Sequence, residues 1–152
     1  MAQQGSIITD EMKKQIGVKG VPTVLEVEKG LIRMMAEALD DPNPLWQDEE
    51  YAEKSKYGGI IAPPALLCCA RAGTGRGVQM KSPFLRALAG GDEVEYLKPL
   101  KAGDVITSVS HIAEYNEREG KRGPMLFTTI ETTYKNQRDE VVAISRSTFI
   151  SY

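Results

Sequence analysis

The sequence predicts an α+β fold in which a long antiparallel sheet curls around a single apolar helix. Three observations carry that expectation. The run Ala65-Leu66-Leu67-Cys68-Cys69-Ala70 has no strongly polar side chain on any face, so a helix there has to be surrounded. From Asp92 onward, β-rich runs alternate with turn residues, which is the pattern of an antiparallel meander. At 152 residues, 41% hydrophobic and 26% charged, the chain suits one domain (1–152) with one core. A sheet wrapped around the helix meets both burial demands, and the alternative lays the helix on one face of a flatter sheet.

Taken in order, Thr9-Asp10-Glu11 ahead of Met12 gives a capping hydroxyl and two acids for a short first helix. After Pro22, Thr23 to Val27 reads as a strand. Lys29 to Leu39 then changes period to a helix, with Leu31, Met34, Met35 and Ala38 on one face. Asp40-Asp41-Pro42 ends it, because a proline disfavours helical geometry in the residue before it. Asp48 caps a second helix that opens with Glu49 and Glu50, and Gly58-Gly59 permits a tight re-entry. Pro64 suits the first turn of the apolar helix. Arg71 to Ser82, with Gly73, Gly75 and Gly77, reads as a loop whose spacing is no nucleotide-binding fingerprint. Strands follow at Asp92 to Leu97, Val105 to Tyr115 (Val105, Val109, Ala113 and Tyr115 on one face), Met125 to Tyr134 and Val141 to Ile150. Glu117 to Gly123 reads as a charged connection.

The balance of 19 basic and 21 acidic side chains, a formal charge of −2, provides no field to gather nucleic acid or an anionic membrane. No apolar segment approaches a bilayer span, and Met1 to Ser6 lacks the plan of a secretory signal, so a cytoplasmic protein is expected. Cys68 and Cys69 are neighbours on a helix and point apart, which argues for packing rather than a disulfide. No His/Cys/Asp spacing suits zinc or iron.

Two stretches hold the functional signal: Asp41-Pro42-Asn43-Pro44-Leu45-Trp46, and Gly58-Gly59-Ile60-Ile61-Ala62-Pro63-Pro64. The first resembles the hydratase motif G-D-x-N-P-[LIV]-H of the MaoC-like (R)-specific enoyl-CoA hydratases and 3-hydroxyacyl dehydratases. Glu28-Lys29-Gly30, Asp48-Glu49-Glu50-Tyr51-Ala52 and Gly90-Gly91 extend the resemblance over most of the chain, in the N-terminal-half form of that family. It implies a hot-dog fold. It also implies chemistry on an acyl-CoA or acyl-carrier-protein thioester in fatty acid metabolism, with coenzyme A or phosphopantetheine as part of the substrate and no separate cofactor.

In catalytic members of that family the motif aspartate and histidine hold a water that adds to the β-carbon. A backbone N–H at the start of the central helix, in an Ile-Ala/Val-His-Gly pattern, stabilises the enolate. Here Asp41 and Asn43 stand at the motif's aspartate and asparagine, and they are the candidate catalytic residues. Trp46 stands at the histidine, and an indole N–H accepts no proton. Pro63-Pro64 replaces the His-Gly pair, and proline has no N–H to offer. Loss of one oxyanion donor costs about 3 to 4 kcal/mol, so two departures in one site point to a half without chemistry.

The resemblance implies a subunit that binds acyl substrate through Trp46, Tyr57, Gly59, Ile61, Pro63, Pro64 and Leu67, as a homodimer or as a heterodimer with a catalytic MaoC-like partner. The alternatives are a hydratase active on its own through Asp41, a non-enzymatic acyl-thioester-binding or interaction module, and, ranked last, a thioesterase, since Pro63 to Gly73 holds no acid. The single histidine, His111, lies far from the motif and reads as packed or surface. Lys98, Lys101, Lys121 and Arg122 read as solvated loop charges, with coenzyme phosphates as their functional alternative.

Overall fold

The computed structural model of the chain describes residues 6–71 and 77–152, so part of the expected 71–82 loop lies outside the described residues. Helix α1 (Asp10–Gln15) is capped by Thr9, whose Oγ1 accepts from Met12 N at 3.2 Å. Strand β1 (Thr23–Glu26) leads into helix α2 (Lys29–Ala38), and helix α3 (Glu49–Lys54) is capped by Asp48. A 3₁₀ turn at Pro64–Leu66 opens helix α4 (Leu67–Arg71). The rest is sheet: β2 (Ala87–Tyr96), β3 (Val105–Gly120), β4 (Gly123–Lys135) and β5 (Val141–Ser151). All pairs are antiparallel, in the order β1-β3-β4-β5-β2.

The sheet curls over the apolar helix, the hot-dog arrangement that the sequence predicts. Leu66 and Leu67 are fully buried against Val27, Ile32, Ile106 and Tyr134. Burial of each leucine stabilises the fold by roughly 1.5–3 kcal/mol. Among the described residues, α4 makes its main contacts with the sheet at β1 and β3. Pro64 and Cys68 are exposed, so the expectation of a fully enclosed helix is corrected, while Cys69 is half-buried and packs against the core as expected.

Three other sequence expectations shift for local reasons. The buried face of α2 is Ile32 and Ala36, with Leu31 and Met35 beside them, while Met34 is 67% exposed. The apolar stripe is wide, and docking selects one side of it. On β3 the buried side chains are Ile106, Ser108, Ser110 and Ile112; Val105, Val109 and Ala113 face outward. A bulge between Ile112 and Glu114 then rotates Tyr115 inward, so it leaves the face that Val105, Val109 and Ala113 share, and that face is the outer one. The charged 117–123 connection is mostly strand: β3 and β4 run on to a tight turn at Lys121-Arg122, closed by Gly123 at φ +118°. Tyr115 joins a second cluster with Met12, Ile112 and Leu126, and burial pushes its hydroxyl pKa up.

Much of the sheet's inner face is hydroxylated, and three pairs of these hydroxyls meet across strands, whereas the buried Tyr115 hydroxyl has no hydrogen-bond partner among the described residues. Thr23 Oγ1 meets Ser108 Oγ at 2.6 Å, Ser110 Oγ meets Thr132 Oγ1 at 2.8 Å, and Tyr134 OH meets Ser145 Oγ at 3.2 Å. Buried hydroxyls persist in a core when they are paired in this way.

Candidate functional site

The motif loop is thrown out by the end of α2. Asp40 takes a left-handed φ of +51°, and the amides of Asp40 and Asp41 bond back to the carbonyls of Glu37 and Ala36 at 3.1 and 3.0 Å. This double bond pattern is a Schellman stop, with aspartate in the place glycine usually takes. The loop is then folded by its own side chains. Asp41 Oδ1 accepts from Asn43 N at 3.1 Å, and Asn43 Oδ1 accepts from Leu45 N at 3.0 Å. Prolines 42 and 44 stiffen the same path, and Pro44–Trp46 closes as a 3₁₀ turn.

Trp46 completes the loop. Its indole Nε1 donates to Asp41 Oδ2 at 2.9 Å, and the residue is only 9% exposed. Both oxygens of Asp41 therefore already accept from the loop itself. The tryptophan at the histidine position brings a donor to the carboxylate and no base beside it.

The second stretch re-enters through Gly58 (φ +65°) and Gly59 (φ +148°), angles that favour glycine. Residues 60–62 are then clamped on both sides: Ile61 N bonds Leu45 O at 3.3 Å, Ala62 N bonds Leu100 O at 2.8 Å, and Ala102 N bonds Ile60 O at 3.0 Å. Pro63 and Pro64 follow, and the Leu66 amide is spent on Pro63 O at 2.9 Å. A developing oxyanion at this helix start would meet no N–H from either proline.

Between the two stretches lies a cleft of about 270 Å³. Trp46, Tyr57, Ile61 and Pro64 line it together with Tyr96, Leu97 and Lys98. Four of the sequence-predicted binding residues thus converge. Gly59 lines a neighbouring groove of about 210 Å³, while Pro63 and Leu67 are buried in the core. Asp41 and Asn43 brace the loop and do not line the cleft. Tyr96 and Leu97 were not foreseen: Tyr96 OH donates to Pro64 O at 3.1 Å, tying β2 to the helix start. An aromatic ending a strand just before Lys98-Pro99 was the available signal.

Of the four cations read as solvated loop charges, with coenzyme phosphates as the alternative, Lys98 and Lys101 have partners of their own. Lys98 pairs with Glu140, and Lys101 Nζ donates to Tyr57 O at 2.8 Å. Hydrogen bonds from Asn136 first, then Lys98 and Arg138, hold the Glu140 carboxyl down to about 2. His111 lies on the outer face of β3, 3.9 Å from Glu131. Among the described residues no His/Cys/Asp/Glu group suits a metal ion, and no helix is long and apolar enough to cross a membrane.

Known proteins share this architecture. The chain is 32% identical to a UPF0336 protein of Thermobifida fusca over 117 residues, covering 74% of this chain and 77% of that one. It is 27% identical over 136 residues to a probable enoyl-CoA hydratase alpha subunit of Thermomonospora curvata, covering 76% of this chain and 42% of the longer protein. Among solved structures, a MaoC-like dehydratase from Rhodospirillum rubrum superposes with a TM-score of 0.69 at 24% identity, over 90% and 92% of the two chains. The 3R-hydroxyacyl-ACP dehydratase complex HadBC of Mycobacterium tuberculosis gives 0.72 at 19%, over 90% and 97%. At those identities the structures establish the shared fold. The family model for the FAS1-like dehydratase domain region matches residues 14–145, and the chain belongs to that family of MaoC-like hot-dog domains.

Proposed function

We propose that this chain is the acyl-binding half of an (R)-specific enoyl-CoA hydratase or 3-hydroxyacyl thioester dehydratase, with the proton chemistry carried by a catalytic MaoC-like partner. The observation that carries the reading is the bond from Trp46 Nε1 to Asp41 Oδ2. Hydration adds the hydroxyl of water to the β-carbon and a proton to the α-carbon. A base must take a proton from the water while negative charge collects on the thioester oxygen. In this chain the carboxylate at the base position is occupied by an indole, and the helix start offers prolines where the enolate needs a donor.

What remains is a surface suited to holding substrate. The cleft has an apolar and aromatic lining of Trp46, Tyr57, Ile61 and Tyr96, which fits the neutral part of an acyl thioester. Its volume of about 270 Å³ falls below the roughly 300–1,000 Å³ usual for a small-molecule site, so the rest of the substrate rests on a second chain. The subunit named for Thermomonospora curvata and the HadBC complex are relatives that work as parts of an assembly, which supports the same division here.

The test is loss of enoyl absorbance from an enoyl-CoA. The chain alone is expected to be inactive and to raise turnover when combined with a partner that carries the full motif. The double variant W46H/P64G is expected to gain measurable activity alone. Turnover by the unaltered chain that disappears in D41N would replace this reading with an independently active hydratase.

A further inference from the structure

The outer face of the sheet, on the side away from α4, holds a cavity of about 570 Å³, within the roughly 300–1,000 Å³ usual for a small-molecule site. Its floor follows from the pleat. Thr107, Val109 and His111 alternate with the buried residues of β3 and so face outward, and Lys135 and Thr133 of β4 lie opposite Thr107 and Val109 on the same face. Two walls rise from that floor. On one side the chain ahead of β1 runs along β3, where Lys19 bridges to His111 and Gly20 N bonds Ser110 O at 2.8 Å. On the other stands the turn from Asn136 to Asp139 that leads into β5.

The turn is a fixed wall. Asn136 Oδ1 accepts from the amides of Arg138 and Glu140 at 3.0 and 3.1 Å, and Gln137 accepts from Val105 N at 3.0 Å and donates to Asp104 Oδ1 at 3.1 Å. The groups left over are donors. The Lys19 ammonium and the hydroxyls of Thr107 and Thr133 have no partner among the described residues. Lys135 holds Asp139 at 2.8 Å in an exposed pair, which is a weak tie. Asp139 is the single acid of the lining, against two lysines and an imidazole. Glu131 faces His111 at 3.9 Å, but the Arg146 guanidinium already holds it at 2.9 and 2.8 Å.

We propose that this cavity is a second ligand site, for a small phosphate monoester with a hydroxylated body, such as a sugar phosphate. The phosphate rests on Lys19 and His111, where a free ammonium and an imidazole N–H meet at one end. The other end, at Thr107 and Lys135, is four residues further along β3, about 13 Å, which is more than one phosphate spans and suits a body of hexose length. There the Asp139 carboxylate accepts from hydroxyls, and the threonines donate to or accept from them. Other ligand classes fit poorly. Val109 is the lone aliphatic side chain of the lining, so an acyl chain would leave the lysines and hydroxyls unpaired. A nucleobase would find no Phe, Tyr or Trp in the lining to stack on. The site lies across the sheet from the cleft at Trp46 and does not rest on the two-subunit reading.

Titration calorimetry of the full chain tests this, with glucose 6-phosphate, inorganic phosphate and glucose as probes. Glucose 6-phosphate is expected to bind about tenfold tighter than inorganic phosphate or better, and glucose to give no heat, because the charge and the hydroxylated body are both read. K19Q and H111Q are each expected to weaken glucose 6-phosphate by about tenfold or more, and T107V/T133V to weaken it less. R122Q, at the exposed tip of the β3–β4 turn and outside the cavity, is expected to bind as the unaltered chain does. Lys19 is exposed, so K19Q keeps the test independent of folding, and thermal unfolding checks the other variants. Absence of binding heat from glucose 6-phosphate at millimolar concentration would overturn the proposal. So would equal affinity for inorganic phosphate, or affinity that K19Q and H111Q leave unchanged.

Discussion

The motif loop and the edge strand β2 contribute opposite walls of one cleft and stand in opposite states. In the loop from Asp41 to Trp46, the backbone and side-chain groups that a substrate would need are already bonded to one another. Along β2, a whole backbone edge and several apolar side chains have no described cover. The difference lies in what each leaves open: the loop spends its hydrogen-bonding groups on itself, and β2 keeps an edge without described cover.

The sharpest way to break the comparison is Trp46→Phe. It keeps an aromatic ring in the core and removes the donor to Asp41 together with part of the indole's volume. Hydrogen bonds to charged groups are worth about 1.5–3 kcal/mol, and a loss near 2 kcal/mol is expected in chemical denaturation. A change within experimental error would mean the loop is held by its prolines and turns alone. On the edge, Gly90→Ala tests how firmly β2 is seated. A Cβ there would come within 2.9 Å of Ile150 Cγ1, so overpacking is expected to cost about 1–2 kcal/mol and to loosen Tyr96 at the cleft. An unaffected denaturation midpoint would show that the edge yields freely.

The smallest effect concerns the Glu140 pair behind the cleft. Its carboxyl titrates near 2 in the folded chain against an ordinary 4.5. A lowered folded value contributes stability that is fully present above about 4.5 and is lost as pH falls toward 2. Glu140→Gln is therefore expected to lower the unfolding midpoint at neutral pH, to converge with the unaltered chain as pH falls toward 2, and so to flatten the acid dependence in that window. An acid profile identical to that of the unaltered chain would show that other carboxylates set it.

The parts legible in the sequence were those determined locally. Thr9 and Asp48 cap helices where their side chains suggest, and the two glycines at 58 and 59 make the re-entry. Trp46 and Pro64 were recognisable as departures from a motif because they sit at fixed spacing from Asp41 and Ile61. What eluded the sequence depends on neighbours. The first half of β2 reads Ala-Leu-Ala-Gly-Gly, which has little strand character, and only pairing with β5 makes it one. The facing of Tyr115 turns on a single bulge, which alternation of side chains does not reveal. The inner face of β3 carries serines at 108 and 110, so polarity marks the wrong side of the strand. The indole bond to Asp41 spans only five residues, yet it requires the loop's path to be known first.

The paired hydroxyls beneath the helix have an evolutionary consequence. Ser110 and Thr132 face each other across β3 and β4 with little access to water, as do Tyr134 and Ser145 across β4 and β5. Replacing Ser110 alone takes its facing hydroxyl from Thr132, at about 1–3 kcal/mol, while exchanging both for apolar groups of similar shape is nearly neutral. These sites are therefore tied in inheritance: a lineage that abandons Ser110 is expected to abandon Thr132 with it, and the inner face should change in couples rather than residue by residue.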